Sequence, residues 1–349
     1  QSVTPHDAGC LEIILEELTK ANFQSRLLPF GQVSNLWATH GEGQPTLCLV
    51  GHTDVVPVGD ESKWHTPPFS PKQIDNTLFG RGACDMKGAL AAMIVAGTRF
   101  VKQYPQHQGR LAYLITSDEE GIAQEGTKAV AQWLQKQNET IDYALVGEPS
   151  SEKSLGDMIK IGRRGSLTGH LTLIGKQGHV AYPDKADNPI HAFGPVLFDL
   201  LNQTWGEPHP DFPETSLQFS NIQAGTGADN VIPGSLAAVL NFRFAPSTTA
   251  EALQSQFEHI LKSHHVEYKM QWRVSGLPFI TDRNSKLITA VCDALKAHEF
   301  KMPELSTKGG TSDGRFLAPL GVEVVEIGPV NKTIHQVNES VSIPDLIRL

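Results

Sequence analysis

The feature that most constrains this chain is a set of three short apolar runs, each stopping at a histidine or at carboxylates. Pro45 to Val50 leads into Gly51-His52-Thr53-Asp54. Arg110 to Thr116 leads into Ser117-Asp118-Glu119-Glu120-Gly121, and Tyr143 to Val146 leads into Gly147-Glu148-Pro149. Runs this short and apolar read as buried strands. Gly88 to Val101 is rich in Ala and reads as a helix, and Asp7 can cap an earlier one that carries Leu11, Ile14, Leu15 and Leu18 on one face. Strands alternating with helices predict an α/β domain, a mixed twisted sheet flanked by helices. In such sheets ligands bind beyond the carboxyl ends of the strands, where these polar clusters fall.

The texture changes near Arg164. From Leu167 to Leu173, and again from Leu240 to Phe244, apolar and polar residues alternate as in half-buried strands. Pro189 to Leu201 and Ala250 to His264 carry helical patterns. This predicts an inserted small α+β domain of split βαβ, ferredoxin-like type at 165–278. After Pro278 helix and buried-strand patterns return (Lys286 to Ala297, Val322 to Ile327), so the larger domain comprises 1–164 and 279–349. A chain of 349 residues suits two domains. The last residues, from Pro344, read as a helix just starting, and the absence of an initiator Met suggests that the native termini extend further.

A formal charge of −9 argues against a nucleic-acid partner. No apolar run approaches the roughly 20 residues that span a bilayer, and no signal-peptide pattern opens the chain. The four cysteines (Cys10, Cys48, Cys84, Cys292) form no CxxC pair, which fits a reducing, cytoplasmic setting.

Five scattered residues could carry chemistry together: His52, Asp85, Glu120, Glu148 and His335. Each is weak alone. His52 could be a loop histidine, Asp85 a helix cap and Glu119-Glu120 a solvated turn. As a set they offer two imidazoles and three carboxylates, nitrogen and oxygen donors that suit zinc or another divalent metal. Asp54, two residues from His52, could accept the imidazole's other N–H and orient it. Of the adjacent pair Glu119 and Glu120, one could bind metal while the other handles a proton. Cys84 reads as a small buried filler.

Longer motifs make the pattern recognisable: GHTDVVP (51–57), GRGACDMKGALAAM (80–93), ITSDEEG (115–121), VGEPSS (146–151), GRRGSL (162–167), GKQGHVAYP (175–183), NIQAGTGADNVIPG (221–234), GGTSDGRF (309–316) and GPVNKTIHQVNE (328–339). Almost end to end the chain resembles the zinc aminoacylase/carboxypeptidase superfamily of di-zinc hydrolases, and within it the succinyl-diaminopimelate desuccinylase branch. The resemblance implies two Zn2+ per subunit, with Co2+ able to substitute, and Asp85 bridging them. It gives His52 and Glu148 to one zinc and Glu120 and His335 to the other. Asp54 is implied as the His52 orienter and Glu119 as general acid/base. The small domain is implied to mediate a homodimer, in which His179 reaches the neighbouring subunit's site and stabilises an oxyanion. Arg164, Ser166, Tyr182, Asn230, Arg243, Gly310, Thr311 and Asn331 are implied as contacts to a small-molecule substrate. Asp229 and Lys308 depart from the pattern and bear on substrate affinity. Two rival readings stay open, a sibling N-acyl amino acid deacylase or dipeptidase, and a non-catalytic metal-dependent binding protein. Glu119 beside Glu120 disfavours the second.

Overall fold

The computed structural model describes all residues from Gln1 to Leu349. Two compact units divide the chain. One comprises Gln1–Gly162, Ile280–Ser306 and Ser312–Leu349, and the other Arg163–Phe279 with Thr307–Thr311. The boundaries thus fall within two residues of those read from the sequence, but Thr307–Thr311, assigned above to the larger domain, clusters with the smaller unit.

The larger unit is built on an eight-stranded mixed sheet. Its order is Gln24–Leu27, Asn35–Glu42, Gly109–Thr116, Thr46–His52, Tyr143–Val146, Glu323–Glu326, Met158–Lys160 and Glu304–Ser306. The four strands in the middle, from Gly109–Thr116 to Glu323–Glu326, are mutually parallel. Their register pairs His52 with Thr116, Val50 with Val146, and Val146 with Glu326, so their carboxyl ends finish nearly level. Strands spaced about 4.8 Å apart therefore release four chain segments at one edge of the sheet.

Helices Cys10–Lys20 and Gly88–Gln103 join one apolar cluster with the sheet through Leu11, Leu18, Leu90, Met93 and Ile94. Asp7 does serve the first helix, since both its carboxylate oxygens accept from Leu11 N, at 3.2 and 3.0 Å. Gly51 and Gly147 leave the sheet bare where Met86 packs. A Cβ on either would stand 2.6 or 2.7 Å from Met86 Cε, a distance at which something must move. These two glycines therefore decide how closely the segment after Asp85 can approach the strands.

The smaller unit carries a four-stranded antiparallel sheet ordered Ser216–Ala224, Ser235–Phe244, Gly165–Ile174, Tyr268–Gly276. With helices Pro189–Leu201 and Ala250–Ser263 the chain runs strand, helix, strand, strand, helix, strand, the split βαβ arrangement. Leu171, Leu240, Phe242 and Phe257 lie in its apolar core. Asn188 and Thr249 cap the two helices by accepting from Ile190 N (3.0 Å) and Ala252 N (3.1 Å). No helix of the chain is long and apolar enough to cross a membrane.

Candidate metal centre

His52 closes its strand almost fully buried. Its Nδ1 lies 2.9 Å from the main-chain carbonyl of Asp54, an acceptor, which makes Nδ1–H the donor and leaves Nε2 as the lone pair of the neutral ring. The Asp54 carboxylate stands further off, 3.5 Å from Nδ1. It accepts instead from Glu119 N (3.3 Å) and Glu120 N (3.1 Å). The orienting bond expected of the Asp54 side chain is therefore made by its backbone, and the side chain fixes the loop that carries the two glutamates.

Asp85 arrives from a turn, Ala83–Lys87, in which it and Met86 are non-helical. The helix that follows has Lys87 as its N-cap with no side-chain cap bond, so Asp85 does not serve as that cap. Its two oxygens face opposite ways. Oδ1 lies 3.3 Å from His52 Nε2, which is also 3.6 Å from Glu148 Oε1. Oδ2 lies 3.2 Å from His335 Nε2, which is 3.0 Å from Glu120 Oε1. Two donors that share one tetrahedral cation at about 2.0–2.1 Å stand roughly 3.4 Å apart, so each of these four histidine–carboxylate pairs has the spacing of two ligands of one cation. His52 Nε2 and Asp85 Oδ1 are buried without a properly aimed hydrogen bond despite their proximity, as expected of atoms that await a third partner. Two overlapping triads, His52–Glu119–Glu148 and His52–Asp85–Glu120, also bring their donor atoms within 4.8 Å of one another. The donor set fits a pair of divalent cations, and Glu119 lies close enough to reach the first.

The protonation pattern reports the same crowding. Burial opposes charge on Asp85, yet His335 and His52 hold its carboxyl well below the usual range. Burial, reinforced by the Asp85 charge, lifts Glu148 to about 7 against the pull of His52. Contacts with Asp85 and Glu120 raise His335 to about 10. Burial lowers His52, but Asp85 and Glu148 outweigh it and raise it well above its ordinary value. Crowded carboxylates thus favour positive charge on both histidines, the same attraction that would favour a divalent cation between them. Glu119 is raised by burial and then by the charges of Asp313 and Glu148, while His52 and Arg315 oppose. Arg315 Nη1 donates to Glu119 Oε1 at 3.3 Å, with both side chains largely buried. The buried Cys84 thiol donates to Val330 O and is pushed up first by burial and then by the Glu339 charge, an unfit nucleophile that agrees with its reading as filler.

The remaining candidates are placed as follows. Asn331 belongs to the larger unit, where its amide N–H donates to Ser151 O. In the smaller unit, Ser166 is buried, accepts from Asn241 Nδ2 at 3.1 Å, and lies opposite Arg243 across the sheet. Arg164 donates to Glu214 O at 3.4 Å, and its Nε is buried without a partner. His179 is exposed on a two-residue strand, Gly178–His179, paired with Val231–Ile232, and its Nδ1 accepts from Ala181 N. Tyr182 is exposed, with its ring centroid 5.8 Å from that of His179, and the carbonyl of Asn230 accepts from Val180 N. Arg163 Nη1 donates to Lys308 O, beside the exposed Gly309 and Gly310 and the half-buried Thr311. Sequence reasoning overlooked Arg315, Arg81 and Glu339. All three lie inside the quoted motifs, but nothing in their spacing tells which backbone or carboxylate they meet.

Comparison with known proteins places this site in a family. The model for peptidase family M20/M25/M40 matches residues 48–349. A protein of Halorhodospira halophila named succinyl-diaminopimelate desuccinylase is 55% identical over 345 residues, 99% of this chain and 91% of that protein. One of the same name from Vesicomyosocius okutanii is 54% identical over 99% of this chain and 92% of its own length. Among solved structures, an M20 family metallo-carboxypeptidase of Sulfolobus solfataricus superposes with a TM-score of 0.81 at 18% identity, covering 98% of this chain and 91% of that one. A Bacillus subtilis protein described as a dinuclear metal binding peptidase from the M20 family gives 0.71 at 15% identity, over 99% and 90%. With a family model matched over most of its length and relatives above half identity, this chain belongs to peptidase family M20/M25/M40.

Proposed function

We propose that this chain is a metallohydrolase that cleaves the amide of N-succinyl-LL-2,6-diaminopimelate to succinate and LL-2,6-diaminopimelate, a step of lysine and meso-diaminopimelate biosynthesis. The substrate follows the names of the close relatives. The observation that carries the chemistry is the division of the Asp85 oxygens between a His52–Glu148 pair and a His335–Glu120 pair.

In this reading His52 and Glu148 would hold one zinc, Glu120 and His335 would hold the other, and Asp85 would serve both, with Co2+ able to substitute. A bound pair of divalent cations supplies a lowered pKa for water and polarisation of the amide carbonyl. Glu119 takes the proton from the attacking water. Its burial, which favours the neutral form, suits it to carry that proton, and Arg315 holds its carboxylate in place. It then delivers the proton to the departing amine nitrogen. Arg164 and Arg243 supply the fork-shaped donors that carboxylates take in pairs, as a substrate with three carboxylates requires. The chain acts as a homodimer through the smaller unit, and His179 completes the oxyanion site of the neighbouring subunit. Arg243→Lys should then raise KM for the succinylated substrate, and an unchanged KM would count against carboxylate recognition there.

The deciding experiment is hydrolysis during metal titration, with N-succinyl-LL-diaminopimelate, N-acetylornithine and a simple dipeptide compared by kcat/KM. The succinylated substrate should lead clearly. A dipeptide in first place would establish a sibling hydrolase, and full metal uptake with no turnover of any of the three would establish a binding protein.

A further inference from the structure

Outside the ligand set, one buried ion pair makes contacts that the reaction does not explain. The Glu339 carboxylate, with about 1% of its side chain exposed, gathers four donors. Oε2 accepts from Arg81 Nη1 at 2.7 Å and Gly82 N at 3.1 Å, and Oε1 from Cys84 N at 2.9 Å and Asp85 N at 3.0 Å. Arg81 also donates to Gln336 O and to Pro57 O, each at 3.2 Å, and its guanidinium lies 5.2 Å from the centre of the Trp64 ring. The main-chain carbonyl of Glu339 accepts from Gly80 N at 3.0 Å.

These partners are not scattered. Asp85 holds the centre of the metal site, Gln336 adjoins His335, and Pro57 lies five residues beyond His52. One ion pair thus ties together three ligand-bearing segments far apart in sequence. A buried pair is a poor device for stability alone, because desolvation offsets most of its attraction and apolar residues of similar volume do as well. What apolar residues cannot do is fix three backbones by directed bonds. His335 needs such fixing. It sits on no strand, its side chain is about half exposed, and its backbone is left-handed at φ +58°.

We propose that Arg81 and Glu339 are positioning residues, a clip that holds the His335 loop against the Asp85 turn and so sets the affinity of the second cation position. The proposal rests on the metal reading of this site.

The test is Zn2+ binding to the metal-stripped full chain, measured against a competing chelator, with melting followed in parallel. Glu339→Gln turns two of the four donors toward an amide group and should weaken the second Zn2+ by about 10–100-fold while leaving the first nearly unchanged. Arg81→Lys keeps the charge but loses the fork, and should give a smaller loss of the same kind. In a His335→Ala background Glu339→Gln should cause little further loss, because the loop no longer carries a ligand. Wild-type affinity at both positions in Glu339→Gln, with a lowered melting temperature, would reduce the pair to a structural one and overturn the proposal. If Glu339→Gln fails to fold, wild-type affinities in Arg81→Lys overturn it equally. A wild-type chain that takes up no Zn2+ removes the metal reading and the clip with it, whereas normal wild-type uptake with indifferent variants removes the clip alone.

Discussion

The two histidines of the centre are built in contrasting ways. His52 ends a central parallel strand, is buried, and has its ring fixed by a carbonyl two residues away. His335 comes from a loop near the end of the chain, stands half in solvent, and adopts a backbone that favours glycine. The sheet makes the first half of the site as a consequence of folding, because three of its parallel strands end nearly level and release His52, Glu119-Glu120 and Glu148 together. The second half is fastened on by long-range side-chain contacts. The lesson is that one candidate metal centre can join a part set by topology to a part set by a few specific bonds, and the two should fail differently.

The largest effect should come from Glu119, which belongs to the sheet-built half but is read as a proton carrier rather than a ligand. Glu119→Gln should lower kcat by about 10²–10⁴-fold with two metals still bound. Metal analysis beside steady-state kinetics checks both. Loss of one metal would instead make Glu119 a ligand of the His52 cation, which the His52–Glu119–Glu148 triad permits.

Asp54→Asn should come next. The amide can replace only one of the two carboxylate oxygens that accept from Glu119 N and Glu120 N, whereas the Asp54 carbonyl that holds His52 is untouched. Activity should fall about 10–100-fold, with affinity for the first metal nearly preserved. A larger loss of metal than of activity would show that Asp54 acts through His52 after all.

This contrast also explains what the sequence made legible. The strand-end clusters could be read because short apolar runs report parallel strands, and parallel strands bring their ends together whatever lies between them. The helices at Pro189–Leu201 and Lys286–Ala297 match their sequence patterns, since apolar spacing and the capping residues Asn188 and Ser285 are local signals. His335 could be singled out only by its motif, as nothing local ties residue 335 to residue 85. Arg81, Arg315 and Glu339 went without roles for the same reason. Their meaning lies in partners as much as 258 positions away. Asp54 shows a subtler limit, because spacing put it beside His52 but could not tell main chain from side chain.

The halves should also separate in the metal-stripped protein. His52→Ala leaves Asp85 and Glu148 buried without their shared partner, a loss of about 1–3 kcal/mol. His335→Ala removes a half-exposed ring and should stay within about 0.5 kcal/mol. Urea unfolding of both stripped variants checks the ranking. Equal losses would mean that the loop half is as deeply built in as the sheet half.

The smallest effect, and the finest test, is the pH dependence of the stripped protein. Asp85 is held below its usual range, so its contribution is present above the unfolded value of 3.8 and fades as pH falls through its lower folded value. Glu148 and His335 are shifted upward, so theirs are present below the unfolded values of 4.5 and 6.5 and are lost as pH rises through about 7 and about 10. The melting temperature should therefore fall in two stages as pH rises, one of about 2–4 °C complete near pH 7 and a smaller one of about 1–2 °C, from the half-exposed ring, complete near pH 10. The first stage belongs to the sheet-built half and the second to the loop. His335→Ala should abolish the stage near pH 10 and spare the one near pH 7. If both stages vanish together, the two histidines and their carboxylates titrate as one system through Asp85, and the division between the halves holds for architecture but not for charge.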